Sequence, residues 1–292
     1  MDLKSYNPAT FGLCADVIGP PGSGKSHFGL TAIRYTLARG KRCALVIAPH
    51  EAASYAGEDV RDAECLVAVD ERWNPEAGDA GRVAEAWRKV TAFVDAAEKR
   101  ADVGLLLIDT ANTVLGDTLW HMVMAKYAAF DPRDLGGNSR QPYVTFASHL
   151  EAFMNRLDLF RFRTKAHVVK LWHEDIREVE GLGVARKEEV KEGGSSKTVL
   201  RWDSGRLPEL RGAMRQSVTK WADLAFHVEA VLSSNPFRCR LVVVPDTTRM
   251  AKSRLDIVRE LQKKEVPNDF GYLVSAVEAR YGKPLGTPAG AR

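Results

Sequence analysis

Cysteine is scarce in this sequence. Four cysteines are scattered among 292 residues, and no two of them stand at a spacing typical of metal ligands. This usage predicts reduced cytosolic thiols and no metal site built on cysteine. Hydrophobic runs of membrane-spanning length are also lacking, and MDLKSYNPAT at the N-terminus has no apolar segment of the signal-peptide type. The sequence therefore predicts a cytoplasmic protein that does not cross a membrane.

Charge of one sign does not dominate either. The formal net charge is +4, which permits a polyanionic partner without requiring one. With 45% hydrophobic and 27% charged residues, the chain can fill a core and is not disordered in bulk. We found no internal repeat and no linker. We therefore expect one domain over residues 1–262, followed by a C-terminal helical segment and a frayed, Gly/Pro-rich tail over residues 263–292.

The motif GPPGSGKS carries the strongest chemical signal. Gly19, four residues and then Gly24-Lys25-Ser26 make the P-loop pattern. An apolar segment of strand type precedes it and a helical period follows it, so a bound phosphate would lie at a helix N-terminus. Lys25 is expected to reach the β- and γ-phosphates, and the Ser26 hydroxyl to ligate Mg²⁺. The residues predicted to surround the nucleotide are Gly19, Pro20, Pro21, Gly22, Ser23, Gly24, Lys25, Ser26 and His27.

Apolar runs alternate with helical periods along most of the chain. Short buried runs at residues 43–48, 103–110 and 166–173 read as strands, and the segments between them carry helical stripes. This alternation predicts an α/β fold, a mostly parallel sheet with helices on both faces. ADLAFHVEAVL and FRCRLVVVPD, separated by SSNP, predict a hairpin that adds antiparallel strands to one sheet edge.

Asp109 ends one of these runs, in LLLIDT. Aliphatic residues followed by Asp are typical of a Walker B strand. The carboxylate would emerge at the C-terminal end of the strand beside the P-loop, where it can hold Mg²⁺ through water. The alternative is an ordinary strand that ends in Asp before a turn.

Two missing motifs narrow the class of P-loop protein. Thr110, not Glu, follows Asp109, whereas many AAA+ and helicase-type motors carry the water-activating Glu there. No Asn-Lys-x-Asp motif is present, which disfavours a GTPase. The catalytic carboxylate is therefore expected from Glu51, after a strand predicted to lie next to the P-loop strand, with Glu174 as the alternative. His173 is the candidate γ-phosphate sensor, or else a structural histidine.

In this order the motifs resemble those of RecA-like recombinase ATPases. RLPELRGAMRQSVTKWADLAFHV followed by MAKSR is similar to the small phage-encoded RecA-like proteins of the Sak single-strand-annealing type, and the match spans about residues 11–262. The resemblance implies a RecA-like P-loop NTPase core that binds ATP and Mg²⁺ at subunit interfaces of a homo-oligomeric ring or filament. It also implies action on single-stranded DNA, in the host cytoplasm if the protein is phage-encoded.

Lys252 and Arg254 stand one residue apart, so on an extended segment they would point the same way. By resemblance they would reach the γ-phosphate of a neighbouring subunit and stabilise charge in the transition state. The alternative is a basic helix start on a solvated face.

Two segments are candidates for binding single-stranded DNA by the same resemblance. DPRDLGGNSRQP, residues 131–142, combines glycines with arginines, which suits contacts to a phosphate backbone. Residues 175–201 are rich in lysine and arginine but carry as many acids, so they are equally compatible with a solvated hairpin. The candidate contacts are Arg133, Arg140, Lys187 and Lys197.

Two other functions stay open at this point. One is a P-loop kinase of a nucleotide or small metabolite, with residues 175–201 as its lid. The other is a motor that packages or unwinds duplex DNA, which the missing Glu after Asp109 disfavours.

Overall fold

The computed structural model describes fifteen stretches of the chain. They are residues 10–56, 63–67, 80–129, 131–175, 186–192, 195–201, 207–211, 214, 218–231, 238–243, 251–255, 257, 261, 266–282 and 284–285. Within these stretches, no helix is both long enough and apolar enough to cross a membrane.

The strands follow the alternating pattern of the sequence. In chain order they are β1 (Cys14–Gly19), β2 (Arg42–Ile47), β3 (Ala63–Val67), β4 (Val103–Asp109), β5 (His167–Asp175), β6 (Arg186–Glu192), β7 (Ser195–Arg201), β8 (Leu207–Pro208), β9 (Leu224–Val231), β10 (Arg238–Val242), β11 (Lys252–Ser253) and β12 (Val266–Pro267).

Helices lie between the strands. The α-helices are α1 (Lys25–Leu37), α2 (Ala80–Glu98), α3 (Thr118–Lys126), α4 (Gln141–Thr164) and α5 (Phe270–Tyr281). Short 3₁₀ segments span Pro49–Tyr55, Pro132–Asn138 and Val218–Trp221, and a π-helical segment spans Asn112–Asp117.

One ten-stranded sheet organises the molecule. Its order is β12-β10-β9-β1-β5-β4-β2-β3, with β11 paired to β9 and β8 paired to β5. The strands from β9 to β3 along this order run parallel, whereas at one edge β10 pairs antiparallel with β9 and β12 pairs antiparallel with β10. The predicted α/β fold, a mostly parallel sheet with antiparallel strands at an edge, is confirmed. β6 and β7 form a separate two-stranded sheet.

Two details of the prediction were wrong. β2, which precedes Glu51, pairs with β4 and β3 rather than with the P-loop strand, because β5 and β4 stand between β1 and β2. In the predicted hairpin, β10 is antiparallel to β9, but β9 itself runs parallel to β1. β9 enters the sheet beside the start of β1, where the Asp223 N–H donates to the Cys14 carbonyl over 2.8 Å.

Hydrophobic cores cover both faces of the sheet. One core receives α2, α3 and α4, and the other receives α1 and α5. The helical stripe predicted in α4 is buried, as expected for a helix that packs on a sheet. Its residues are Phe146, Leu150, Phe153, Leu157 and Phe160.

The C-terminal segment packs on the P-loop helix. β12 pairs with β10, and the Phe270 N–H at the start of α5 donates to Thr31 Oγ1 over 2.9 Å. Phe270 is fully buried beside Phe28 of α1, with ring centroids 5.8 Å apart. The domain boundary at residue 262 stays a prediction.

A buried ion pair joins the two central strands. Lys170 Nζ of β5 lies 3.1 Å from Asp16 Oδ1 of β1, and neither side chain is exposed to solvent. Trp172 Nε1 donates to the same carboxylate oxygen over 2.8 Å. Although burial opposes it, the Asp16 carboxylate raises the pKa of Lys170, so the pair is charged inside the core.

Candidate active site

The loop between β1 and α1 takes a conformation that needs glycine. Gly22 has φ 74° and Gly24 has φ 96°, both in the left-handed region that disfavours other residues. A Cβ on Gly24 would also come within 2.7 Å of Cys239 Sγ and 2.8 Å of Asn268 Nδ2. Glycine at position 24 is therefore required both by the backbone and by its neighbours.

The N-terminus of α1 is prepared for an anion. Gly24 is the N-cap residue, and no side chain caps the first turn. Uncapped amides at the start of a 13-residue helix, together with the helix dipole, favour a phosphate at this position. Asn268 Nδ2 donates to the Gly24 carbonyl over 2.8 Å, so the segment before α5 braces the loop.

Lys25 lies against the loop itself. Its Nζ donates to the Gly19 carbonyl over 2.9 Å and to the Pro20 carbonyl over 2.8 Å. Burial lowers the pKa of Lys25, while the nearby carboxylates of Asp109 and Glu51 raise it. The ammonium group is thus held at the mouth of the loop by weak carbonyl acceptors, which phosphate oxygens can replace.

Asp109 ends β4 with its side chain fully buried. Tyr55 O–H donates to Asp109 Oδ2 over 2.6 Å. Burial raises the pKa of Asp109 to about 6, and the hydrogen bonds from Tyr55 and Ser26 oppose that rise. The peptide bond between Asp109 and Thr110 is cis.

The surroundings of Asp109 fit a magnesium ion. Among the described residues, Asp109 Oδ1 is buried without a hydrogen-bond partner. The Ser26 hydroxyl lies beside the carboxylate, so two oxygen ligands for a metal ion lie close together. Oxygen donors of this kind are the ligands that Mg²⁺ prefers, directly or through water. Ser26 and Asp109, the predicted metal residues, would hold it.

Glu51 reaches the same place by another route. It lies in the 3₁₀ segment that follows β2, and Ser26 Oγ donates to Glu51 Oε2 over 3.4 Å. His173 Nε2 lies 3.5 Å from Glu51 Oε1. The hydrogen bond from His173 lowers the pKa of Glu51 against the effect of burial, which keeps this carboxylate charged. Glu51 therefore lies next to the phosphate loop, although β2, the strand that precedes Glu51, is not adjacent to the P-loop strand β1.

His173 lies near the C-terminal end of β5, which is the strand between the P-loop strand and the strand of Asp109. Asn112 holds its backbone from both sides. The His173 N–H donates to Asn112 Oδ1 over 2.5 Å, and Asn112 Nδ2 donates to the carbonyls of His173 over 3.3 Å and Glu209 over 2.6 Å. The backbone of His173 is thus fixed by Asn112, three residues after Asp109.

Glu174 faces a different partner. It is buried, and its Oε2 lies 3.3 Å from His227 Nδ1. Glu51, in contrast, contacts both Ser26 and His173. Of the two glutamates considered for catalysis, the geometry favours Glu51.

Arg254 does not join this site within one chain. The Arg254 N–H donates to the Asp223 carbonyl over 2.7 Å, and its guanidinium donates to the Lys220 carbonyl. Leu224, next to Asp223, pairs with Ala15 near the start of β1, whereas the phosphate loop follows the end of β1. Arg254 is therefore at the opposite end of β1 from the loop. Lys252 forms β11, and its side chain is outside the described part of the structure.

The four candidate DNA contacts are not brought together by any described contact. Arg133 is exposed and paired with Asp131 over 2.6 Å, and Arg140 is an exposed residue at the start of α4. Lys187 and Lys197 lie in the β6–β7 hairpin, where Lys187 pairs with Leu200 and Lys197 with Val190. Their side chains fall outside the described residues.

Three residues of the site were missed by the sequence analysis: Tyr55, Asn112 and Asn268. Each is held by a contact with a residue far along the chain or in another element. Asn112 carries one local signal, since it is a polar residue shortly after a buried strand that ends in Asp. Tyr55 and Asn268 carry none, because neither stands in a recognisable motif.

This fold and this loop define a P-loop nucleoside triphosphatase. The family model described as AAA domain matches residues 12–255, which is most of the chain. The chain belongs to this AAA-domain family of P-loop ATPases, and membership implies nucleotide binding. A search of curated proteins found no match.

Proposed function

We propose that this chain is a RecA-like enzyme that binds ATP with Mg²⁺ and hydrolyses it. The observation that supports the proposal is the meeting of Lys25, Ser26, Glu51 and Asp109 at the C-terminal ends of the parallel strands, although three separate parts of the chain supply them. Ligands of open α/β sheets bind at this end.

Each side chain has a role that its surroundings support. Lys25 exchanges its loop carbonyls for the β- and γ-phosphates, and Ser26 and Asp109 hold the metal ion. A bound Mg²⁺ supplies positive charge that offsets the charge of the phosphate oxygens. Glu51, kept charged by His173, orients a water and accepts its proton, and His173 senses the γ-phosphate.

A comparison of two glutamate-to-glutamine variants tests the assignment of Glu51 as the general base. Glu51→Gln is expected to bind ATP and to lower the hydrolysis rate by about 10²–10⁴-fold, the usual contribution of a general base. Glu174→Gln is the matched control, because it makes the same change in a buried carboxylate that contacts His227. If Glu174→Gln removes hydrolysis and Glu51→Gln does not, the assignment is wrong.

The proposed polymer is single-stranded DNA, in recombination or annealing of the phage Sak type. Support comes from the sequence resemblance and from the exposed arginines Arg133 and Arg140 on either side of a glycine-containing segment. ATP turnover is expected to change when a single-stranded oligonucleotide is added. If ATP turnover does not change with the oligonucleotide and depends on a small acceptor molecule, the result would instead indicate a P-loop kinase, the alternative that the sequence left open.

The arginines can be tested directly. Replacing Arg133 and Arg140 with alanine is expected to weaken oligonucleotide binding and to reduce the slope of log affinity against log salt by about 1.4, since each phosphate contact to a single strand contributes about 0.7. Replacing the exposed arginines Arg88 and Arg163 is the control, because Arg88 lies on α2 and Arg163 in the last turn of α4, both outside residues 131–142. Equal losses in both variants would contradict the proposed contact.

We also propose that Arg254, with Lys252, completes the site of a neighbouring subunit. Support comes from the position of Arg254, which is exposed at the end of the sheet opposite its own phosphate loop. A contact with a γ-phosphate therefore requires a second copy of the chain, in a ring or filament.

A further inference from the structure

Two histidines and a glutamate form a cluster beside the phosphate loop. His50 Nε2 lies 3.7 Å and His173 Nε2 lies 3.5 Å from the same oxygen, Glu51 Oε1. The three potential ligand atoms all lie within 4.8 Å of one another. His50 was not among the predicted site residues, and the ATPase roles proposed above do not use it.

The spacing of these atoms suits a small transition-metal ion. In a tetrahedral site with bonds of about 2.0–2.2 Å, ligand atoms lie roughly 3.4 Å from one another. The two distances to Glu51 are close to that value. The side chain of His50 is 47% exposed, so rotation of its imidazole can bring it closer to His173.

The ligand types select the metal. Two imidazole nitrogens and one carboxylate oxygen suit Zn²⁺, Co²⁺ or Ni²⁺, whereas Mg²⁺ prefers oxygen ligands alone. Three protein ligands also leave the fourth position of a tetrahedral zinc ion open. This cluster is therefore chemically distinct from the oxygen donors of Ser26 and Asp109.

The backbone supports all three ligands. Asn112 fixes the backbone of His173 on both sides, through the bonds of 2.5 and 3.3 Å described above. His50 and Glu51 are consecutive in a short 3₁₀ segment that begins at Pro49, and the Glu51 N–H donates to the Ala48 carbonyl over 2.9 Å. The backbone of all three ligands is therefore held before a metal ion binds, and the adjustment that binding needs is rotation of the exposed His50 imidazole.

We propose that His50, Glu51 and His173 bind a divalent transition-metal ion of the zinc type, and that this binding inhibits ATP hydrolysis. Inhibition follows because the ion occupies the Glu51 carboxylate and the His173 imidazole. Metal binding stands on the geometry of the cluster alone. The inhibitory effect rests on the proposed ATPase function.

The binding experiment uses Co²⁺ and Zn²⁺ on full-length, chelator-treated protein without nucleotide. All variants carry Cys65→Ser, because Cys65 is an exposed free thiol and thiols are ligands that such metals prefer. We expect one Co²⁺ per chain, with the intense visible absorption of tetrahedral cobalt, and displacement by Zn²⁺ in calorimetry. His50→Ala should lower the affinity by at least about 100-fold, since loss of an outer partner alone costs 10–100-fold.

His149→Ala is the matched control, because His149 of α4 contacts Lys126 of α3 and lies outside the cluster. It should bind Co²⁺ as the unaltered protein does. His50→Gln, with circular dichroism, serves as a second variant in case His50→Ala disturbs folding. The absence of saturable binding, or equal binding by the His50 and His149 variants, overturns the proposal.

Hydrolysis in a zinc-buffered solution with excess Mg²⁺ tests the inhibitory effect. Zinc should stop turnover by the parent protein and leave the His50→Ala variant active. Equal inhibition of the parent protein and the His50→Ala variant would refute the inhibitory effect. The cobalt spectra test the metal site separately. If no protein hydrolyses ATP even without zinc, the proposed function fails, and that result is separate from the cobalt binding.

Discussion

The buried carboxyl of Asp109, to which the Tyr55 hydroxyl donates, makes the stability of the fold depend on pH. Burial raises the pKa of Asp109 from its ordinary 3.8 to about 6. Between these values the folded chain holds a proton that the unfolded chain has lost, so the free energy of unfolding falls as the pH rises. The total fall is about 3 kcal/mol at 1.36 kcal/mol per pH unit.

Tyr55→Phe removes the donor to this carboxylate and leaves the ring in place. A hydrogen bond to a charged group contributes about 1.5–3 kcal/mol, against about 1 kcal/mol for a neutral one. The charged form of Asp109 therefore loses more than the protonated form, and its pKa rises further, by roughly one pH unit. The variant should lose about 2 kcal/mol of stability at pH 8 and about 1 kcal/mol at pH 5.

Urea denaturation at both pH values, in the presence of a chelator, measures the two losses. Tyr127→Phe is the control, because the Tyr127 hydroxyl bonds to Thr145 Oγ1 over 2.9 Å instead of to a carboxylate. Its loss should not change with pH. A loss for Tyr55→Phe that is the same at pH 5 and pH 8 would refute the argument that the hydroxyl acts on a titrating Asp109.

Three further predictions concern phosphate binding, the neighbouring subunit and the core. Lys25→Ala should abolish ATP hydrolysis in a phosphate-release assay, because no other described cation contacts the loop carbonyls. Arg254→Ala should also remove hydrolysis. Mixing Arg254→Ala protein with Lys25→Ala protein should restore part of the activity. If no mixture recovers activity, the proposal that Arg254 acts on the site of a neighbouring subunit loses its support. Lys170→Met should destabilise the fold by about 3–5 kcal/mol, because it leaves the buried Asp16 carboxylate without its counter-ion, whereas adding Asp16→Asn should recover much of that loss in urea denaturation.

The local motifs were predictable because their causes are local. The phosphate loop needs left-handed backbone at Gly22 and Gly24 and an uncapped helix start at Lys25. The residues that meet these three requirements lie within four positions of the sequence. The strand that ends at Asp109 was visible as a short aliphatic run. The buried stripe of α4 followed from helical spacing alone.

The order of the strands was not predictable in the same way. Hydrophobic patterns say that a segment is a buried strand but not which strand lies beside it. The expectation that β2 lies beside β1 was therefore wrong, although Glu51 still reaches Ser26 through the 3₁₀ segment after β2. The same limit explains why β9 was expected to be antiparallel to the sheet.

The sequence by itself determined the α/β class, the phosphate loop and the identity of the acidic residue at the end of β4, because backbone conformation and periodicity act over a few neighbouring residues. Only the tertiary structure decided which side chains surround them. Tyr55 meets Asp109 across 54 residues, and Asn268 meets Gly24 across 244. Contacts of such separation depend on how the sheet is assembled, and no local pattern specifies their partners.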